Sequence, residues 1–576
     1  MLKINDYIAA WPDIDFPNFI AWMRHGRDRW PERVAVRYRA GRNVEFDEWT
    51  YARLFDAAEA FARALRGAGL SNDDRVALWA ENRPEWCAAW LGAVRAGCTV
   101  VPIDASLSED DVAGILGKAE PRALVVSGKK KDAITRFRDA APSIALAVPI
   151  GGEWEALLAS APEDTPLPAP ETIPGDHAAS IIFTSGTTGI AKGVVLSHHG
   201  IIANINASIM SLPIYDRDVF MGVLPLHHTY PTTCAFLSPL TVGASLTICD
   251  KVVGKVIIDD IRDSRGTIMI AVPLLYDKLA SGLRHGFREQ GALASSLVAT
   301  LMTLSRFFRV VLRSRAVGAV LLSGIRRKAG LGSIRLLVAG GGALDPSVAD
   351  FFDDLGFNIV QGYGMSENGP LITTNTIGRK NNKSAGLAVK YTDVRIVDSG
   401  EDGIGEIVVK SPSLMKGYFR NPEATAEAIG PDGYLRTGDL GYLDGDGFLF
   451  ITGRRKNLIV TAGGKNVYPE EIEARFAGIP AIAQVLVLPR KGAKGEEIAA
   501  IFVPDREWLR GRYGERGAER EFAENLIREE VQRVNRELVS YRKIASWGIR
   551  ESEFEQTATK KIKRFLYRDY DAALGV

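Results

Sequence analysis

Between Trp49 and Leu70 the apolar residues Tyr51, Leu54, Phe55, Ala58, Phe61, Ala62 and Leu65 recur at the spacing of one helix face, and Gly67 and Gly69 end the run. An apolar stretch at Arg75 to Trp79 follows. Next come a second helix opened by Pro84 and closed by Gly97, strand-like Thr99 to Asp104, a helical segment from Ser108 to Ala119 and strand-like Ala123 to Ser127. Alternation of this kind predicts parallel sheets with helical crossovers. The stretch from Ala161 to Asp176 holds five prolines and few apolar residues, so it reads as a surface connection between two lobes. Strand-like residues 178–185 follow it. Strand and helix signals alternate again from Ile334 to Gly364, and a Gly- and Asp-rich stretch from Asp398 to Gly447 suits a β-rich segment. Beyond Gly453 a helix at Pro469 to Phe476, strands at Ala481 to Leu488 and Glu497 to Val503, and a long helix near Glu519 to Leu538 make a compact α/β unit.

Size and charge narrow the possibilities. A chain of 576 residues exceeds what one hydrophobic core organises, so two or more domains are expected. With 46% hydrophobic and 24% charged residues it is neither disordered nor membrane-embedded in composition. Its 71 Lys and Arg against 70 Asp and Glu leave a formal charge of +1, which gives no global field toward nucleic acid. Cys87, Cys98, Cys234 and Cys249 form no C-x-x-C pair and stand in apolar stretches, which suits a reducing cytoplasm. The first residues carry acids and prolines instead of a basic flank and an apolar run, so no secretory leader is expected. No window reaches the roughly 18 unbroken apolar residues of a spanning helix.

The chemistry concentrates in a few segments. Thr184-Ser185-Gly186-Thr187-Thr188-Gly189-Ile190-Ala191-Lys192-Gly193 follows a strand signal. Its glycines permit tight turns whose amides can face phosphate, and its hydroxyls and Lys192 add donors. It is not a Walker A loop, which after Gly186 would require Gly at 191 and Ser or Thr at 193, where this chain has Ala191 and Gly193. This segment resembles the signature loop of the adenylate-forming acyl-activating superfamily, which includes acyl-CoA synthetases, peptide-synthetase adenylation domains and luciferases. The family's usual proline before the lysine is Ala191 here, a change in loop stiffness and not in a ligand.

Other family motifs recur in the same order over nearly the whole chain. Gly340-Gly341-Gly342-Ala343 and Gln361-Gly362-Tyr363-Gly364-Met365-Ser366-Glu367 resemble the two strand-end turns that frame the adenine, with Tyr363 able to stack on it. The resemblance implies that Glu367 holds Mg²⁺ and that Thr187 touches the phosphates or the metal; hard oxygen ligands suit that ion. Asp439 resembles the ribose-binding aspartate, whose carboxylate can accept from both ribose hydroxyls. Arg454 matches the arginine that also reaches the ribose, and Lys456 falls at the hinge position. Gly463-Gly464-Lys465 looks like the turn lining the tunnel for the CoA thiol. Lys561, within Thr557 to Arg564, takes the place of the catalytic lysine, although many members have Gly before it where this chain has Lys560.

The fold implied is α/β: a large N-terminal domain with layered parallel and mixed sheets plus a β-rich subdomain, and a small mobile α/β C-terminal domain. The expected division is an adenylation domain at 1–453, a hinge at 454–457 and a small domain at 458–576. The implied reaction joins a carboxylic acid to ATP as an acyl adenylate and then to the thiol of CoA, releasing pyrophosphate and AMP. Leu224-Pro225-Leu226-His227-His228-Thr229-Tyr230 resembles the segment reaching the acyl pocket, with His227 or His228 as its gate or as structural histidines. Apolar stretches at Ser238 to Ile248 and Thr267 to Leu275 favour a medium- or long-chain fatty acid. An aryl acid and a carrier-protein thiol stay open as alternatives.

Between Leu297 and Lys328, apolar Val298, Leu301, Leu304, Phe307, Phe308, Val311 and Leu312 alternate with Arg306, Arg309, Arg313 and Arg315, followed by Arg326, Arg327 and Lys328. Such a helix can lie on an anionic bilayer at the inner membrane face, or pack its apolar face on the core with its charges in water.

Overall fold

The computed structural model describes residues 14–184, 192–311, 316–461, 465–492, 495–556 and 562–575. Thr50 caps the first strongly amphipathic helix, Tyr51–Gly67, by accepting the Arg53 amide at 3.1 Å. Its buried face, Tyr51, Leu54, Phe55, Ala58, Phe61, Ala62 and Leu65, packs on the helix Pro84–Arg95. Gly92 makes that approach feasible, because a Cβ there would stand 2.6 Å from the Ala58 carbonyl oxygen.

Two large sheets organise the N-terminal part. One has seven strands in the order Gly417–Tyr418, Lys192–Ser197, Ala178–Thr184, Thr99–Pro102, Arg75–Trp79, Ala123–Val126, Leu146–Pro149. The other has nine, in the order Leu387–Ala388, Leu371–Thr374, Asn358–Gly364, Leu336–Ala339, Ile268–Ala271, Val219–Gly222, Ser245–Ile248, Val34–Tyr38, Asp47–Thr50. Both are parallel in their middles; the nine-stranded sheet is antiparallel at both edges, the seven-stranded one only at the edge holding Lys192–Ser197 and Gly417–Tyr418. Helices cover the parallel strands, which read as unbroken apolar runs for that reason.

The proline-rich stretch from Ala161 to Asp176 corrects one expectation. It joins two strands of the same seven-stranded sheet, Leu146–Pro149 and Ala178–Thr184, by way of the helix Gly152–Ser160. Its prolines mark the length of a surface path from one edge of that sheet to its middle and do not mark a boundary between lobes.

An antiparallel four-stranded sheet, Asp393–Val397, Gly405–Lys410, Leu435–Leu443 and Leu449–Arg454, forms the β-rich part. After it the strands Ile482–Gly492, Gly495–Pro504 and Ser546–Ile549 form a smaller sheet backed by the helix Arg520–Glu537. The apolar clusters divide at the same place: four are built from residues up to Leu449 and three from Ile459 onward. The fold is thus α/β with a large N-terminal and a small C-terminal part. Cys87, Cys98, Cys234 and Cys249 are buried free thiols. Among the described residues no helix is long and apolar enough to cross a membrane.

Candidate active site

Three residues from separate motifs meet at one carboxylate. The strands Leu435–Leu443 and Leu449–Arg454 pair so that Asp439 stands directly opposite Arg454. Arg454 Nε lies 2.8 Å from Asp439 Oδ1, and the Tyr363 hydroxyl donates to Oδ2 at 2.7 Å. The Asp439 amide donates to Thr437 Oγ1, which fixes the middle of the strand that carries the acid. Asp439 is buried. Its charge holds the Arg454 guanidinium more firmly protonated, while burial first and Asp439 second push the Tyr363 phenol well above its usual range.

The two glycine turns are locked to one another. The Leu344 amide donates to Gln361 Oε1 at 2.7 Å, and Gln361 Nε2 donates to the Ser384 carbonyl at 2.8 Å. Gly341 has φ of +81°, and a Cβ on Gly364 would stand 2.2 Å from the Pro370 carbonyl oxygen. Both positions therefore need glycine. Gly342, Ala343 and Gly362 complete the turns, and Met365 is partly buried between two apolar clusters. Ser366 Oγ accepts from Thr229 Oγ1 at 2.8 Å, which ties the second turn to the segment bearing the two histidines.

Thr184 and Lys192 are cross-strand partners at the mouth of the hydroxyl loop. Ser185, Gly186, Thr187, Thr188 and Gly189 lie outside the described residues. The Lys192 ammonium sits 4.9 Å from the centre of the Tyr418 ring, and the Tyr418 hydroxyl donates to Glu367 Oε1 at 2.9 Å. Tyr418 reaches this place because the two-residue strand Gly417–Tyr418 pairs with Lys192–Ser197, setting Tyr418 opposite Val194. The Glu367 carbonyl accepts the Met415 amide at 2.8 Å, so both its backbone and its side chain are tied to that strand's surroundings. Burial, and then Glu367, raise the Tyr418 phenol, so it remains a donor at neutral pH.

His227 and His228 face one another with 3.1 Å between their Nε2 atoms, and His227 Nε2 is 3.6 Å from Asp104 Oδ2. Burial holds both rings neutral, His227 down at about 3. Asn82 brackets the turn before them: its amide donates to the Leu224 carbonyl at 2.7 Å and its oxygen accepts the Leu226 amide at 2.8 Å.

In the C-terminal part, Arg455–Asn457 is a single 3₁₀ turn after the strand that ends at Arg454. Lys456 is pulled down to about 8, by desolvation and then by Arg454 and Arg564. A Cβ on Gly453 would stand 2.7 Å from Glu470 Oε2, and Asn457 donates to Glu470 Oε1 at 2.6 Å. Lys465 closes a turn with Thr461, whereas Gly463, Gly464 and Lys561 lie outside the described residues. Their neighbours are well tied. Gln556 and Ile562 form a β-bridge, and Arg564 is ion-paired with Glu473 and donates to the Val487 carbonyl at 3.0 Å. Glu473 also accepts the Val487 amide at 2.6 Å, and its burial pushes its carboxyl up to about 7.

Residues 23–419 match the family model described as AMP-binding enzyme. The chain belongs to this family. It is 29% identical over 495 residues to the long-chain-fatty-acid–CoA ligase FadD13 of Mycobacterium tuberculosis (strain ATCC 25618 / H37Rv), covering 84% of this chain and 88% of that one. It is 27% identical to the feruloyl-CoA synthase of an Amycolatopsis species, covering 80% and 81%. The crystal structure of ATP-bound MatB from Rhodopseudomonas palustris superposes with a TM-score of 0.75 at 25% identity, covering 96% of this chain and 98% of that one.

Within this AMP-binding enzyme the motif residues recognised singly fall into two groups, Tyr363–Asp439–Arg454 and Lys192–Glu367. Sequence reasoning missed the residue that completes the second. Tyr418 stands in a strand of two residues, too short for any alternation to register. Asn82 and Asp104 were missed because each is a lone polar residue past a strand, and its partners lie more than a hundred positions away.

Proposed function

We propose that this AMP-binding enzyme activates a medium- or long-chain fatty acid as an acyl adenylate and passes the acyl group to the thiol of CoA, with loss of pyrophosphate and then AMP. The observation that carries the reading is the convergence of Tyr363 and Arg454 on Asp439, beside two glycine turns coupled through Gln361. A carboxylate has about four acceptor sites, so Asp439 can take ribose hydroxyls while keeping the contacts that orient it. Tyr363 would stack on the adenine and Arg454 would reach the ribose. Thr184, Ser185, Gly186, Thr187, Thr188, Gly189 and Lys192 would hold the phosphates.

Among the described residues no three His, Cys, Asp or Glu side chains gather around a point. That pattern fits Mg²⁺ carried in on the nucleotide, which needs one or two protein oxygens besides phosphate and water. Glu367, oriented by Tyr418, and Thr187 are the residues suited to it. The ion would neutralise phosphate charge. An ionised acid needs no general base to attack the α-phosphorus, so the protein's part is positioning and charge stabilisation. Lys561 would meet the carboxylate and the α-phosphate oxygens. We place the division of the chain at 1–453, 454–457 and 458–576, with Lys456 as the hinge about which the small domain turns to present Gly463, Gly464 and Lys465 to the thiol. His227, buried, and His228, half-buried, both held neutral, suit an apolar acyl wall better than an anionic subsite. The reaction belongs in a reducing cytoplasm, as four free thiols suggest.

An aryl acid is the second reading, favoured by the likeness to a feruloyl-CoA synthase. Pyrophosphate release across a panel of fatty and aryl acids, with and without CoA, decides between them. Turnover with hexadecanoate and CoA is the expected result. Preference for hydroxycinnamate would replace the acid assigned here, and adenylate that CoA leaves untouched would replace the acceptor by a carrier protein.

A further inference from the structure

The helix Ala292–Val311 is turned around relative to an ordinary surface helix. Its arginines pair with acids of the protein: Arg306, still largely exposed, lies 2.6 Å and the more buried Arg309 2.7 Å from the Asp354 carboxylate, and Arg309 lies 3.9 Å from both Asp350 and Asp353. Val298 and Ser305 are buried on the same side. The outward side carries Leu293, Leu297, Leu304, Phe307, Val310 and Val311, all exposed, with Leu293 at 90% and Val310 at 64%. Their spacing forms one continuous stripe along the helix.

Two further features shape this face. Thr300 and Thr303 lie on the outward side, but their hydroxyls donate to the carbonyls of Ser296 and Ala299 at 2.9 Å. Each polar group is thus satisfied inside the helix, as in helices that meet lipid. The neighbouring helix Ala316–Leu321 packs alongside and adds Val320, 74% exposed, and Leu321. The surrounding exposed charge is mainly positive, with Glu289 as the acid at its edge. From Gln290 to Lys328 the chain contains no Asp or Glu and seven Arg and Lys residues, of which Arg306 and Arg309 are ion-paired, Arg326 is buried, and Arg313 and Arg315 lie outside the described residues. Arg288, Arg327 and Lys328 are exposed, and Lys328 Nζ donates to Gln290 Oε1 at 3.2 Å, which sets a cation at the start of the stripe.

We propose that this face, formed by the helix Ala292–Val311 with Val320 and Leu321, docks on an anionic lipid bilayer, with the apolar stripe entering the headgroup boundary and the exposed Arg288, Arg327 and Lys328 meeting lipid phosphates. An exposed stripe of leucine, phenylalanine and valine in which the Thr300 and Thr303 hydroxyls are already satisfied suits a fluid apolar medium. A second copy of the chain is a poorer occupant, since a two-fold contact would bring the same cations together. The proposal is independent of which acid the enzyme activates.

The test is cosedimentation of the full-length protein with vesicles of phosphatidylcholine alone and of phosphatidylcholine mixed with phosphatidylglycerol. Binding to the mixed vesicles is expected, weakening as salt rises. The double variant L297E/F307E should lose at least about tenfold in binding, since each side chain removes an apolar anchor. Its melting temperature and its ATP-dependent pyrophosphate release should stay as in the parent protein. R327E/K328E should weaken binding to the mixed vesicles only. Absence of binding by the parent protein, or unchanged binding by L297E/F307E, overturns the proposal. So does a parent dimer in sedimentation that the double variant dissolves without change in vesicle binding, because the face would then be a contact between copies.

Discussion

The hydroxyl of Tyr418 donates to the carboxylate of Glu367 at 2.9 Å while the ring of the same tyrosine lies 4.9 Å from the Lys192 ammonium. One aromatic side chain therefore orients an acid and faces a cation at the entrance of the hydroxyl loop. Tyr418→Phe keeps the ring and removes the donor. A hydrogen bond to a charged group contributes about 1.5–3 kcal/mol, so ATP–pyrophosphate exchange should fall roughly ten- to a hundred-fold. The Mg²⁺ concentration for half-maximal exchange should rise as well. A variant with parental Mg²⁺ dependence would separate Tyr418 from the metal-binding role assigned to Glu367.

Asp439→Asn replaces an acceptor shared by Tyr363 and Arg454. The buried tyrosine hydroxyl then meets an amide, and the arginine loses its counter-charge. Stability should drop by about 1–3 kcal/mol, read as a lower denaturant midpoint. The functional signature lies in the nucleotide: the parent enzyme should discriminate ATP from 2′-deoxyATP, and the variant should do so much less. Equal discrimination in both proteins would remove Asp439 from the ribose.

Acid sensitivity follows from two buried histidines. His198 is fully buried, its Nδ1 accepts the Phe19 amide at 3.2 Å, and burial then His177 hold it down at about 3; His227 is held at about 3 by burial and by His228. Their ordinary value is 6.5, so between about pH 6.5 and pH 3 the unfolded chain binds more protons than the native one. Stability contributed by the neutral rings is complete above pH 6.5 and is lost as pH falls through that window. His198→Asn, whose oxygen can still accept the Phe19 amide, should flatten the acid limb of a urea-midpoint curve. A limb as steep as the parent's would assign acid lability elsewhere.

Lys561 and Lys456 separate the two half-reactions. If the Lys561 ammonium serves adenylation alone, Lys561→Ala should cost about a hundred- to a thousand-fold in pyrophosphate exchange and leave conversion of presynthesised acyl adenylate with CoA nearly intact. Lys560→Ala should be mild in both assays; the reverse order would shift the assignment by one residue. Lys456→Pro removes a rotatable φ and should impair thioester formation more than adenylation.

How far the sequence carried depended on the range of the interaction. The helices Tyr51–Gly67 and Arg520–Glu537 were legible because burial repeats on one face, and the Gly92 packing contact lay out of sight because its partner Ala58 is on another helix. Asp439, Arg454 and Tyr363 each stood in a recognisable turn, but that they share one carboxylate is a fact of strand register. The helix Ala292–Val311 was visibly amphipathic and cationic. Its orientation was not legible, because three aspartates of a distant helix, Asp350, Asp353 and Asp354, pair with Arg306 and Arg309. Local pattern gives the faces of an element, and only the partner decides which one is turned away from water.

The interleaving of the sheets also orders events on the ribosome. Val34–Tyr38 emerges early, yet its parallel neighbour Ser245–Ile248 follows some two hundred residues later, and Lys192–Ser197 waits until Gly417–Tyr418 has been made to gain its outer partner. The nascent chain therefore carries unfinished strand edges for much of its synthesis, the condition in which chaperones are most needed. Tyr418 arrives on the last of these strands, so a stalled or truncated product lacking it would retain most of the N-terminal core without the contact that joins Glu367 to the loop entrance.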